Sequence, residues 1–440
     1  MTRNSYEILR PNARGMRRRD FLKRSAVAGL AAVTSFPAIA QGARITIPLM
    51  SWMWNEPGRG TAWRTMLAKF HAEQSDIFIE EAGAPFNEYT NNMLIQSQSG
   101  AIDGALFHTT PDLVVRLLRG GHLESLQDIV DRLGIASTLS AAHDHLRVDG
   151  KVHGLDIVTV KFGLLYNSAM LDKAGVAAPT TPEEWVQVST SLTNPPDQFG
   201  VYSPHLLSEP GDFWFILQQW AVMFDGLWAK DRTPLVNTEP VIQGLKLFKT
   251  MYDKAMPKGT DTATANQMYA NGRIAQQLVV SAAVNIWSSS GPDIYKSLRS
   301  VVPPGPSGKA ITRIHPICVN AHAPDDQKQA AKTFVEWLYR PENYQQLMEL
   351  CLDVVPPYPE AIRQEYLDKQ FWADGYLKGQ AITPPEIMGD FIFFNQEFGN
   401  VVMDKFSEVL VSDRPVEDAM ADAQKELEQR AERLFDGFDL

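Results

Sequence analysis

From Arg44 onward the hydrophobic positions change period repeatedly, and the changes mark out elements. Arg44 to Ser51 has the character of a short strand, and Gly60 to Gln74 then places Trp63, Met66, Leu67 and Phe70 on one helical face. Ile77 to Glu81 is a second strand. Asn87 to Ser99, carrying Tyr89, Met93 and Leu94, predicts a helix, Gly104 to His108 a strand, and Pro111 to Arg119 a helix that opens with proline. Strand and helix alternate as in a doubly wound α/β lobe, a mostly parallel sheet with helices on its faces.

A second segment starts near Lys161. Phe162 to Asn167 reads as an apolar strand, Phe213 to Met223 as a Trp-rich helix, and the segment runs to about Val302. Pro303, Pro304, Gly305, Pro306, Ser307 and Gly308 then interrupt regular structure, as a connector or hinge would. Ile311 to Val319 resumes as strand, followed by helices over Gln327 to Tyr339 and Pro341 to Leu350. In a last helix beginning near Pro415, Val416, Met420, Ala423, Leu427, Ala431 and Leu434 form a packing face. At 440 residues the chain exceeds what one core usually serves, so two domains are expected.

Composition adds that the chain is globular: 44% hydrophobic and 21% charged residues support a sizeable core, with no repeat or low-complexity tract. The amino terminus is more specific. Arg17 to Lys23 read RRRDFLK, which resembles a twin-arginine export motif, and Ser25 to Phe36 form a short apolar stretch before Ala38, Ile39 and Ala40. A signal peptide is expected over residues 1–40, cleaved near Ala40, with the mature protein in the periplasm. The apolar stretch is shorter than the roughly 20 residues that span a bilayer. Met16 is an alternative start. Residues 1–40 hold eight Lys or Arg and two Asp or Glu, so the remainder carries 33 basic against 50 acidic residues, net −17. That excess argues against a nucleic-acid partner. Cys318 and Cys351 fit either a disulfide or two buried thiols.

Several stretches carry a resemblance. Gly150, Lys151 and Gly154 look like a "G-K-x-x-G-x-P" turn, with Asp156 where proline is usual. Leu165, Tyr166 and Asn167 through Leu171 to Gly175, then Pro179, Thr181 and Trp185, look like "l-Y-N-k-x-x-x-x-x-a-G-l" followed by "P-x-T-W-x-e". Asn271 to Ala275 look like "f-x-x-G-k-a-A-m", and Trp337 to Pro341 like "w-l-x-x-p-e". In order and spacing these resemble the family of extracellular (periplasmic) solute-binding proteins of ABC importers that includes the maltose-binding protein. The resemblance implies two α/β lobes joined by a hinge crossed more than once: residues 44–160 plus 311–379, and 161–300 plus 384–440, with 303–308 as connector. It implies a monomer that captures a small molecule, a sugar first and a polyol or glycerol phosphate ester as alternative, for the permease subunits. No cofactor is implied.

A sugar presents apolar C–H faces and hydroxyls, so its site needs flat aromatic surfaces and carboxylate or amide groups. Trp52, Trp54, Asn55 and Glu56 follow the first strand, at the edge where open α/β sheets take ligands, though the tryptophans are equally placed to cap a core. His108 and Thr109 end another strand at that edge. Asp156 lies near the expected crossing, as ligand group or as cap. By resemblance Glu209 and Pro210 match an acidic turn that contacts sugar in the maltose-binding protein; Gly211 stands where that protein has an aromatic, so stacking passes to Phe213 or Trp214. Trp287, Phe393 and Phe394 are further aromatic candidates, each also readable as core. Arg313, with His315, offers a cation to an anionic ligand such as a sugar phosphate, or belongs to a surface pair.

An enzyme is the rival reading. The sequence holds no HExxH, GxSxG or GxGxxG signature. Gly305 to Lys309 imitates a phosphate loop with two residues between its glycines instead of four. Of nine histidines, only His143, His145 and nearby His153, with Asp144, form a local group able to suggest a metal, and none is expected. Two suitably spaced carboxylates suffice for a glycosidase, so motif search leaves hydrolysis open.

Overall fold

The computed structural model describes residues 44–437 apart from Pro57, Ser289 and Ser290. The signal peptide expected over residues 1–40 lies outside the described residues. The strands of the main sheet are β1 (Ile45–Met50), β2 (Ile77–Ala82), β3 (Leu106–His108), β4 (Leu155–Asn167), β5 (Phe199–Tyr202), β6 (Ile274–Val280), β7 (Leu298–Val301), β8 (Lys309–Val319) and β9 (Gln380–Ile382). They form one nine-stranded sheet in the order β2-β1-β3-β8-β4-β6-β5, with β7 on β4 and β9 on β8. β1 lies parallel to β2 and β3, as the β-α-β alternation requires, while β8 runs antiparallel to β3 and β4. The fold is mixed α/β.

The helices that matter for the site are α1 (Arg59–Glu73), α2 (Phe86–Ser99), α3 (Pro111–Arg119), α4 (Pro210–Val222), α5 (Glu239–Lys254), α6 (Asp325–Leu338), α7 (Pro341–Cys351), α8 (Asn395–Ser412) and α9 (Val416–Leu434). Proline opens α3, α4 and α7, where its missing N–H has no intrahelical partner to lose. Arg116 and Arg119 close α3, favourably placed on its dipole.

One hydrophobic core draws on 47–160 and 314–361, and a second on 162–256, 310–311 and 382–435. β4 and β8 thread both. Lys161 pairs with Thr312 where β4 passes from β8 to its partners β6 and β7. β4 is buried on both faces for nearly its whole length: Phe162 and Leu164 enter the second core, and Leu165 a third cluster with Tyr202, Tyr269, Trp287, Trp372 and Tyr376. Trp372 and Tyr376 thus pack beyond the crossing, although the resemblance placed their segment with residues 44–160. The reason is local. Gly163 leaves room for the Tyr376 ring, and Ser300 Oγ donates to Trp372 O (2.5 Å) while accepting from Gly375 N–H (2.9 Å).

Residues 303–308, expected as connector or hinge, dock on the end of α4. Ser307 N–H donates to Met223 O (3.1 Å), and a Cβ on Gly305 would meet the Met223 Cβ at 2.4 Å. Cys318 and Cys351 are buried free thiols.

Candidate functional site

β1, β3 and β8 bring the first polar group together. Ser51 and Trp52 follow β1, and a 3-10 turn over Met53–Asn55 comes next. Ser51 Oγ accepts from Met53 N–H (3.0 Å) and lies 2.7 Å from His108 Nδ1 at the end of β3. Burial, reinforced by nearby His315, pushes the His108 pKa down to about 3, so the ring is neutral. Its Nε2 is buried with no hydrogen-bond partner, as is Thr109 Oγ1 beside it. His315 on β8 is also held near 3 by burial, with Arg59 and Arg313 adding to the shift. Its Nδ1 lies 3.3 Å from Val158 O, an atom that only accepts, so Nδ1 carries the proton and Nε2 is an acceptor.

Aromatic rings frame these imidazoles. The Trp52 ring lies 5.6 Å from His315, 6.2 Å from His108, 5.5 Å from Tyr89 and 5.5 Å edge-on from Phe86. Phe86, at the start of α2, remains 44% exposed, which for a ring held against buried Trp52 offers an open apolar face. Asn55 is exposed and Glu56 half-buried. Burial raises the Glu56 carboxyl, opposed by Arg59 3.7 Å away and by a hydrogen bond from Trp52. Trp54 turns inward: its Nε1 donates to Leu49 O (3.0 Å) and its ring meets Trp63 edge-on.

α3, α4, α8 and β8 supply a closed ring of polar contacts. Arg313 donates through Nη2 to Gln218 Oε1, and Gln218 Nε2 donates to Asn395 Oδ1 (3.1 Å). Asn395 Nδ2 donates to Asp112 Oδ2 (2.9 Å), and Asp112 Oδ1 lies 3.8 Å from Arg313 Nη1. The guanidinium sits over the Phe215 ring at 4.4 Å, and its Nε has no partner. Burial raises the Asp112 carboxyl against the pull of Arg313. Arg313 is therefore an interior cation with an internal counter-ion, neither unpaired nor on the surface.

A second buried ion pair joins the start of α1 to the residue after the α7 cap. Arg59 meets Asp353 with both ends of its fork, Nη1 to Oδ2 at 3.0 Å and Nη2 to Oδ1 at 2.5 Å. Leu352 ends α7 at φ +55°, a left-handed conformation that turns Asp353 toward Arg59. The Cys351 carbonyl accepts from Asn285 Nδ2 (2.7 Å), a residue beyond the crossing.

Of the remaining expected residues, Asp156 and Trp214 back this group from the interior through His315 and Asn395, and Trp287, Phe394 and Glu209 pack elsewhere. Asp156 is a fully buried structural carboxylate: Oδ1 accepts from Val158 N–H (3.1 Å) and His315 N–H (3.0 Å), and the Thr159 hydroxyl donates to Oδ2. Trp214 donates to Asn395 Oδ1 (2.8 Å) from inside the second core, and Trp287 stacks on Tyr269 at 4.6 Å in the third cluster. Phe394 packs its ring on Phe435. Glu209 is half-buried and accepts from both Thr262 N–H and Oγ1 at 2.9 Å. Its Oε2 thereby caps the helix Thr262–Ala270. The histidine group also separates: His143 Nε2 accepts from Asp156 N–H, His145 bonds Thr383 Oγ1 (2.8 Å), and Asp144 pairs with Arg147. Among the described residues no three His, Cys, Asp or Glu side chains form a metal-binding group.

Sequence reasoning passed over Phe86, Asp112, Gln218 and Asn395. Only Asp112 carried a signal, an acid in the first turn of a proline-opened helix directly after His108 and Thr109.

Residues 65–378 match the bacterial extracellular solute-binding protein family. A putative ABC transporter periplasmic-binding protein of Escherichia coli K12, YcjN, is 18% identical over 341 residues, 74% of this chain and 75% of that protein. The structure of a Listeria monocytogenes ABC substrate-binding protein in complex with cycloalternan is similar at a TM-score of 0.73 and 18% identity, over 88% of this chain and 99% of that one. UgpB of Mycobacterium tuberculosis, in complex with glycerophosphocholine, gives 0.73 at 13% identity over 89% and 99%. These structural likenesses establish the fold, and among the described residues no helix is long and apolar enough to cross a membrane. With the family match spanning well over half its length, the chain belongs to the bacterial extracellular solute-binding proteins.

Proposed function

We propose that the chain is the solute-binding component of an ABC importer, that it is exported to the periplasm by its amino-terminal signal peptide, and that its solute is a small carbohydrate. It acts as a monomer, holds the sugar between two lobes without converting it, and presents the closed form to the permease subunits. The separate cores on either side of the Lys161–Thr312 crossing support two lobes. The observation that carries the ligand class is the Trp52–Phe86 aromatic pair beside neutral His108 and His315, with Thr109, Asn55 and Glu56 at hand. Rings stack on the C–H faces of a sugar, and neutral imidazoles with carboxylate and amide oxygens match its hydroxyls.

A thermal-shift screen of the mature protein against mono- and oligosaccharides and polyols tests this, because a ligand bound only by the native state raises the melting temperature. One or more neutral sugars are expected to raise it and to be recovered unchanged. Silence across the carbohydrates would defeat the ligand class, and recovery of a converted sugar would defeat the non-enzymatic reading.

A further inference from the structure

We infer that the site is built for an uncharged ligand, and that Asp112 enforces this by standing as the internal counter-ion of Arg313. The inference rests on the proposal that ligand is held at the Trp52–Phe86 pair beside His315, the floor of the site.

The guanidinium groups at this floor are both committed. Arg59 is held by both oxygens of Asp353 and approached by Glu56. Arg313 is 6% exposed and faces Asp112, Gln218 and the Phe215 ring. Arg116, one turn beyond Asp112, donates to Phe393 O, and Arg119 lies over the Phe393 ring at 4.3 Å. Lys161 points to the opposite side of the sheet, where its Nζ donates to Gly379 O (3.0 Å). The imidazoles of His108 and His315 add no positive charge.

Asn395 fixes Asp112 Oδ2, while Oδ1 is buried, accepts no hydrogen bond and lies on the Arg313 side at 3.8 Å from Nη1. An acidic ligand near Arg313 therefore meets a cation already balanced from inside, and half-buried Glu56 repels it at the rim. Selectivity thus comes from a repulsive element as well as an attractive one.

The test uses inorganic phosphate and matched pairs of neutral sugars and their phosphate esters, titrated calorimetrically into the mature protein. The unaltered protein is expected to bind a neutral sugar at least 100-fold tighter than its phosphate ester, and to give no heat with phosphate. Asp112→Asn is expected to gain phosphate binding by at least tenfold, and the double variant Asp112→Asn, Arg313→Gln to lose that gain. Phosphate or ester binding by the unaltered protein that Arg313→Gln abolishes would overturn the inference, as would a folded Asp112→Asn protein with no gain. If Asp112→Asn does not fold, the sugar-against-ester ratio of the unaltered protein decides alone. The two readings fail separately: absence of sugar binding with the phosphate gain intact sinks the carbohydrate ligand and leaves the charge rule standing.

Discussion

Asp156 makes a prediction about pH at the scale of one residue. Burial pushes its pKa from the ordinary 3.8 up to about 7. Between those values the folded chain holds a proton that the unfolded chain has released, so this contribution to stability is complete below about pH 4 and lost as pH rises through about 7. Asp156→Asn removes the effect while keeping the contacts: the amide oxygen accepts from Val158 and His315, and the amide N–H₂ donates to the Thr159 hydroxyl, which reverses. Urea denaturation across pH is expected to show the variant gaining on the native protein by about 1.4 kcal/mol per pH unit between about pH 4 and 7. A difference that stays constant with pH would refute the assignment. Side chains of this kind also explain what the sequence concealed. Trp54, Trp214 and Trp287 have the composition of a sugar site yet serve cores, because a stacking surface and a core plug are the same chemical object until their neighbours are known. Phe86 follows Gly83, Ala84 and Pro85, a context that marked only the start of a helix.

At the scale of elements, α4 and α5 cross where Gly244 has no side chain. A Cβ there would stand 2.3 Å from Trp220 O and 2.6 Å from its carbonyl carbon, both backbone atoms. Alanine is the better helix former by about 1 kcal/mol. Forcing two packed helices apart costs about 1–3 kcal/mol, so Gly244→Ala is expected to be destabilising, seen as a lower urea midpoint; an unchanged or higher midpoint would mean the crossing relaxes. The helices were largely legible from periodicity: α1, α3, α7 and α9 begin and end within a residue or two of where apolar spacing and proline place them. The form of the crossing was not. Proline and glycine at 303–308 suggested a hinge, but β4 and β8 pass between the cores as continuous, largely buried strands. A strand covered on both faces needs no punctuating residue where it changes partners.

For the whole molecule, contacts between the two cores flank the candidate site. Asn285 reaches Cys351 O on one side, and Asn395 meets Asp112 on the other, with His145 bonded to Thr383. Asn285→Ala leaves the Cys351 carbonyl without this donor, and one such hydrogen bond contributes about 1 kcal/mol. The ligand-free variant is expected to show a larger radius of gyration by small-angle scattering and about fivefold weaker ligand binding; identical scattering and affinity would mean that this contact does not favour closure. The order of strands also sets a timetable for synthesis. β3 ends at His108 and cannot pair on its open side until β8, ending at Val319, has been made. At roughly 5–20 residues per second the ribosome needs roughly 10–40 s for that interval. Through it the nascent first half exposes unpaired strand edges that invite wrong partners, so premature termination anywhere before β8 yields a fragment fit for holdase capture or degradation rather than a working half.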